Sequence, residues 1–261
     1  MSFIYNFDIS KEIPHFKNSP QHIQSTAEYA VVEVIYESFV VTGDQDYLMA
    51  RLLAQHGLPR GFFWAAAQAM EKYLKAFLLM NDLSVKNFSG HPIKKLFEAA
   101  IKIDSSFAEI NILPHPNFII EPSVSHHLKK FTAHEFIDEI EKHGNPNNRY
   151  NAIGIEYSTG HLCALDSFSF RTREKIGCNP INESLNNLSP DLIEIFNKFN
   201  PWFQAGTDHP PIQVSSKELP IQRSSSVTKF EIITGNNINP SYKIALQWLG
   251  AKMKLPSKNG K

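Results

Sequence analysis

The segment Phe62 to Met80 limits what this chain can become more than any other. It is nineteen residues rich in alanine and leucine, with neither glycine nor proline inside it, a composition that favours helix strongly. Its polar residues, Gln68, Glu71, Lys72 and Lys75, recur at i, i+3, i+4 and i+7, so they form one narrow stripe on an otherwise apolar cylinder. A helix with so little polar surface needs neighbours on most sides, and that calls for a helical bundle with this segment at its centre.

The flanking sequence supplies those neighbours. Ser25 with Glu28 has the form of a capping box opening a helix through Tyr29, Val32, Ile35 and Phe39. Asp44 or Asp46 can cap a second helix, which Gly57 and Pro59 end. Pro92 suits the first turn of a helix running to about Ile103. Residues 104–131, with Pro114, Pro116 and Pro122, read as a long loop holding one short strand at Phe118-Ile119-Ile120. Thr132 with Glu135 makes another capping box, for a helix stopped by Gly144 and Pro146. From about Arg149 to Ile176 the pattern is again helical and ends at Gly177. Gly154 and Gly160 mark either a break or a close approach to a neighbour.

After Gly177 the composition shifts to Asn, Ser and Pro. Two helices are expected there, one capped by Ser189 with Pro190 and one capped by Asn239 with Pro240, and Val227 to Ile233 suits a strand. The expected fold is all-α: a helical domain over 1–177, with an N-terminal arm over its first 23 residues, followed by a mostly irregular extension over 178–261. Trp202, Phe203 and Trp248 are expected to pin that extension to the bundle.

Formal net charge is zero, so the overall charge gives no argument for a polyanion partner. No stretch approaches the roughly 20 apolar residues of a membrane span, and the N-terminus lacks the basic start and apolar run of a signal peptide. The two cysteines, Cys163 and Cys178, lack metal-site spacing and suit reduced thiols. The expectation is a cytoplasmic protein that needs no cofactor.

Two stretches are recognisable. Tyr47-Leu-Met-Ala-Arg-Leu-Leu-Ala-Gln-His-Gly-Leu58, followed by Phe63 to Leu79 with its Gln68-Ala-Met-Glu-Lys-x-x-Lys-Ala core, resembles the first two helices of HEPN (higher eukaryotes and prokaryotes nucleotide-binding) domains. Gly90-His91 is similar to the family's Gly-His-Asp-Leu turn, with Pro92 in place of the aspartate. Asn148-Arg149-Tyr150-Asn151 resembles its Arg-Tyr-Pro helix start, with Asn151 in place of the proline. The resemblance covers about residues 40–176.

It implies an antiparallel helical bundle, a homodimer, and one of three activities. Members are metal-independent ribonucleases, toxins or phage-defence proteins paired with an antitoxin or other partner, or non-catalytic RNA- or nucleotide-binding modules. Active members place a histidine four to six residues after the arginine. Here the first histidine after Arg149 on that predicted helix is His161, about 18 Å further along a continuous helix. The expectation is therefore a non-catalytic module that binds RNA, a nucleotide or a protein partner. A ribonuclease using Arg149 and His161 is the alternative enzyme reading, and a purely structural interaction protein is the third.

Arg149 is the candidate phosphate clamp, because a guanidinium fork matches phosphate geometry; its bland alternative is a surface ion pair. Tyr150 can stack on a base or sit in the core. Glu71 and Lys72 border a candidate ligand cleft, or form a solvated face. His91 is a candidate ligand contact or a helix cap. His115, His126, His127 and His134 invite a zinc reading that their spacing does not favour. Arg51 and His56 match the nuclease spacing, but on the wrong helix.

Overall fold

The computed structural model describes residues 3–88, 91–110, 115–125, 128–146, 148, 153–178, 181, 188–198, 200–203 and 212–214. These residues are mostly helical. Helix α1 spans Gln21–Ile35, a π-helical segment follows over Tyr36–Val41, and α2 spans Thr42–Gln55 without interruption. Helix α3 spans Pro59–Met80 and α4 spans Ile93–Ile103. After strand β1, Phe118–Ile120, come the single turn α5, Pro122–Ser125, and α6, Ala133–Gly144. Helix α7 spans Thr159–Ile176, α8 spans Pro190–Asn197, and β2, Ile212–Val214, pairs in parallel with β1.

Helix α3 is the axis of the core, as its composition requires. Pro59 occupies its first turn, where a missing N–H costs nothing. Most of its residues are buried, and α1, α2, α4, α6 and α7 pack around it.

Two of the expected helix starts are overturned. Ser25 lies inside α1, where its hydroxyl donates to the Gln21 carbonyl one turn back. Asp44 is not the N-cap of α2: α1 and α2 join through the π segment, so Asp44 lies inside the first turn of α2 and is drawn into the core. Thr42 likewise donates back to Ser38, at 2.7 Å, so its hydroxyl does not end the helix. Gly43 is needed at this junction: a Cβ there would sit 2.9 Å from the Tyr73 ring.

Two buried ion pairs lock α2 against α7. Asp44 receives Arg173, and Arg51 meets Asp166. Acid and base are seven residues apart on each helix and paired in reverse order, so the helices run antiparallel. The tyrosines Tyr47 and Tyr73 donate to Asp166 and Asp44, each at 2.6 Å. Each arginine has a second use: Arg51 donates to the Lys198 carbonyl and Arg173 to the Cys178 carbonyl. Both arginines are fully buried, where a charge persists only when its partners are good.

Those carbonyls belong to the chain beyond Gly177, and that chain enters the same core. Cys178, Ile181, Phe196 and Phe203 are buried in one cluster with the helices, and Trp202 packs against it. Asn200 donates to the Tyr47 hydroxyl at 3.0 Å. The aromatic anchors Trp202 and Phe203 thus pin this part to the bundle, as expected. Trp248, the helix after Asn239 and the strand expected at 227–233 lie outside the described residues. Among the described residues, no helix is long and apolar enough to cross a membrane.

Candidate functional site

The end of the bundle where α6 finishes and α7 begins gathers Lys129, His143 and His161 around the Glu139 carboxylate. The reciprocal Thr132–Glu135 capping box starts α6, as the sequence indicates. Four residues separate Glu139 from His143, which puts them on one helix face. His143 is buried, and its Nε2 lies 3.2 Å from Glu139 Oε2. Lys129 reaches the other oxygen, Oε1, at 3.2 Å. His161, the third residue of α7, points Nε2 at Glu139 Oε2 from 3.9 Å, too far for a hydrogen bond.

His161 has no solvent exposure at all. Its ring packs against Phe131 at 4.6 Å, Phe63 at 5.1 Å and Tyr157 at 5.7 Å between centroids. The Ser158 backbone N–H donates to Nδ1 at 3.0 Å, so the neutral ring carries its proton on Nε2, toward Glu139. Gly160 lets this happen: a Cβ there would lie 2.2 Å from the Lys129 carbonyl oxygen, so the start of α7 and residue 129 touch backbone to backbone.

The hydrogen bond from His143, with further help from His161 and Lys129, holds the Glu139 carboxyl far below the usual range. Burial pushes the His161 imidazole below its ordinary value. Burial also raises the Cys163 thiol to about 12, which keeps it protonated and unreactive. With Nε2 already protonated and Glu139 ionised, the neutral ring has no proton to exchange with the carboxylate. General acid–base work on a substrate needs that nitrogen about 3 Å from the reacting oxygen, and aromatic rings and Glu139 occupy the space around this one.

Arg149 and Tyr150 lie outside the described residues, as do Gly90, His126 and His127. Asn148, which precedes Arg149, is buried; its carbonyl accepts from Arg60 at 2.6 Å, and its side chain accepts from the Ile153 N–H at 2.9 Å. Residues 153–158 are not helical, so α7 does not begin at Arg149, and the continuous-helix separation of Arg149 from His161 does not apply. Gly160 marks a close approach; residues 154–158 are irregular, and Ser158, the N-cap of α7, is extended.

The polar stripe of α3 divides. Glu71 is buried and accepts from Lys75, at 2.6 Å, while His91 Nδ1 lies 2.5 Å from its other oxygen. His91 takes a positive φ of 61° to do so. Lys72 turns the other way, to Asp46 at 2.6 Å and the Thr42 carbonyl. Glu71 and His91 therefore meet, Lys72 stands apart, and all three are engaged within the chain. Glu71 is about 12 Å along α3 from Phe63, which touches His161. His115 packs on Trp202 and His134 on Phe97, and no metal-holding cluster occurs among the described residues. Arg51 is committed to Asp166, while His56 is exposed.

Lys129, Glu139 and His143 escape a reading of the sequence for function. The Glu139–His143 spacing is a visible signal, but on an amphipathic helix it looks like a surface ion pair. Comparison with models of known protein families, with curated proteins and with solved structures finds no match to this chain.

Proposed function

We propose that this chain is a HEPN-like binding module for a phosphate-bearing ligand, RNA or nucleotide, without nuclease chemistry of its own. It works as a homodimer in the cytoplasm, within a toxin–antitoxin or phage-defence setting. The observation that carries the non-catalytic half is the complete burial of His161, with Nδ1 tied to the backbone and Nε2 facing Glu139. The binding half rests on the resemblance of residues 47–79 and 148–151 to the family. It gains support from α2 and α3 packing as neighbours joined by a short turn, with Asn148 drawn to the same end of α3 as His161.

The test is direct. Purified protein should bind fluorescent RNA or nucleotide, and Arg149→Ala should weaken that binding about tenfold or more without changing the melting curve. Cleavage should stay at background with or without divalent metal, and light scattering should give a dimer. Binding that Arg149→Ala leaves unchanged sinks the proposed site.

One observation favours a second reading, the ribonuclease. Because α7 starts at Thr159, the axial distance that separated Arg149 from His161 is lost, and a histidine beside a carboxylate is a familiar acid–base arrangement. Robust cleavage abolished in both Arg149→Ala and a folded His161→Gln would decide for it.

A further inference from the structure

Helix α3 buries its aromatic residues with one exception. Phe62, Phe63, Tyr73 and Phe77 lie in the core, whereas Trp64 is 42% exposed. Trp64 belongs to a stripe of Arg60, Trp64, Gln68, Glu71 and Lys75, spaced i, i+4, i+8, i+11 and i+15 along one face of the helix. Among the described residues, the ring beside the indole is that of His91, 6.3 Å away between centroids and tilted by 59°. The indole face is therefore not covered by a stacked ring.

His91 is fixed from behind. Buried Glu71 meets its Nδ1 at 2.5 Å, and Lys75 holds the other carboxylate oxygen at 2.6 Å. The backbone accepts φ 61° at this position, which is unfavourable for a residue with a Cβ and tends to be kept where a side chain has a task. A carboxylate only accepts, so Nδ1 carries the proton, and in the neutral ring Nε2 keeps a lone pair. The His91 side chain is 41% exposed, and Nε2 has no hydrogen-bond partner among the described residues. On the same face, the Gln68 amide nitrogen also lacks a partner.

An open indole face takes a flat ring, and a fixed acceptor at its edge takes an N–H from that ring. We propose that Trp64 and His91 form a nucleobase site. The base stacks on Trp64 and its exocyclic amine donates to His91 Nε2, which selects adenine or cytosine over uracil; Glu71 and Lys75 position the imidazole. The site rests on the reading of the chain as a binder of a phosphate-bearing ligand, and it receives the other end of that ligand. Arg60 lies about 6 Å before Trp64 along α3 and donates to the carbonyl of Asn148, the neighbour of Arg149 in the chain. A phosphate held at that end leaves its base within reach of Trp64.

Calorimetric titration of the full-length protein tests this with three probes: AMP, purine riboside 5′-phosphate, which lacks the amine, and ribose 5-phosphate, which lacks the base. AMP should bind tightest, ribose 5-phosphate about tenfold or more weaker, and the amine-free nucleotide between them. Trp64→Ala should lower AMP to the level of ribose 5-phosphate while leaving ribose 5-phosphate binding and the melting curve unchanged. His91→Asn, which suits a positive φ, should abolish the preference for AMP over the amine-free nucleotide. Equal binding of AMP and ribose 5-phosphate by the unsubstituted protein overturns the proposal, and so does AMP binding that Trp64→Ala leaves intact. The phosphate clamp is read separately, because Arg149→Ala should weaken all three probes alike. A loss there, beside AMP that binds no better than ribose 5-phosphate, keeps the clamp and removes the base site. A short oligoadenylate RNA that binds more tightly than AMP, and loses that affinity in Trp64→Ala, identifies single-stranded RNA as the source of the base; tighter AMP identifies the free nucleotide.

Discussion

At the scale of single residues, the interior is stabilised by charges that ought to be costly there. Arg51 and Arg173 each answer one aspartate and one carbonyl, and each aspartate also accepts from a tyrosine. Removing one partner strands the other in a low-dielectric interior. Arg51→Ala or Asp166→Ala should therefore cost about 3–5 kcal/mol in urea unfolding. The joint replacement Arg51→Met with Asp166→Leu should recover much of that loss, because it leaves no orphan charge. A single variant within about 1 kcal/mol of the parent would mean that the pair is solvated.

His161 makes a second residue-scale prediction, and its sign comes from burial. The unfolded chain takes up a proton near pH 6.5, whereas the buried imidazole resists it, so the unfolded state gains stability as pH falls below that value. Glu139 acts in the same direction lower down: its folded carboxyl stays ionised below the ordinary value of 4.5, so the stability it contributes above that value is lost as pH falls. Melting temperature should be level from pH 8 to 7 and decline from about pH 6.5 to 5. His161→Phe should flatten that upper part of the decline and leave the acid limb below it. A parent profile already flat between pH 7 and 5 would show that His161 is protonated freely in the fold.

Elements are where the sequence spoke most clearly and also misled. The centrality of α3, the Thr132 box, the Ser189-Pro190 start of α8 and the Gly177 stop, with φ 77°, were legible because each rests on contacts within a few residues. Ser25 and Asp44 carry the same capping letters as Thr132, but one bonds backward within its helix and the other to Arg173 across the bundle. Nothing local separates those fates. The glycines give a sharp test. Helix propensity alone predicts that Gly160→Ala and Gly144→Ala gain about 1 kcal/mol. The new Cβ atoms would lie 2.2 Å from the Lys129 oxygen and 2.5 Å from the Phe63 oxygen, backbone atoms that yield only if α7 or α6 shifts. Both variants should lose about 1–3 kcal/mol instead. Thermal denaturation showing a gain would mean that the two contacts are loose.

The whole molecule depends on the chain beyond α7. The bundle was readable from periodicity, and the site was not, because Lys129, Glu139, His143 and His161 become neighbours only once α6, α7 and the segment before α6 pack together. Gly177 looked like the end of a domain, since composition changes there and the helix does stop. The described packing gives the later chain a structural role instead of a tail's. Without residues 178–261, Arg51 and Arg173 would each lose a carbonyl acceptor, and Tyr47 would lose the Asn200 amide and the rings of Phe196 and Phe203, at 6.1 and 5.5 Å. Unmade hydrogen bonds to two buried cations cost about 1–3 kcal/mol each, and the lost aromatic burial about 3 kcal/mol or more per ring. Together these are comparable with the whole stability of an ordinary domain, about 5–15 kcal/mol. A chain ending at Gly177 should accordingly be insoluble, or melt without a cooperative transition by circular dichroism, while one ending after Val214 retains a cooperative melt. A 1–177 chain that unfolds cooperatively within a few degrees of the full protein would make the helical domain independent and reduce the two arginine–carbonyl bonds to surface docking.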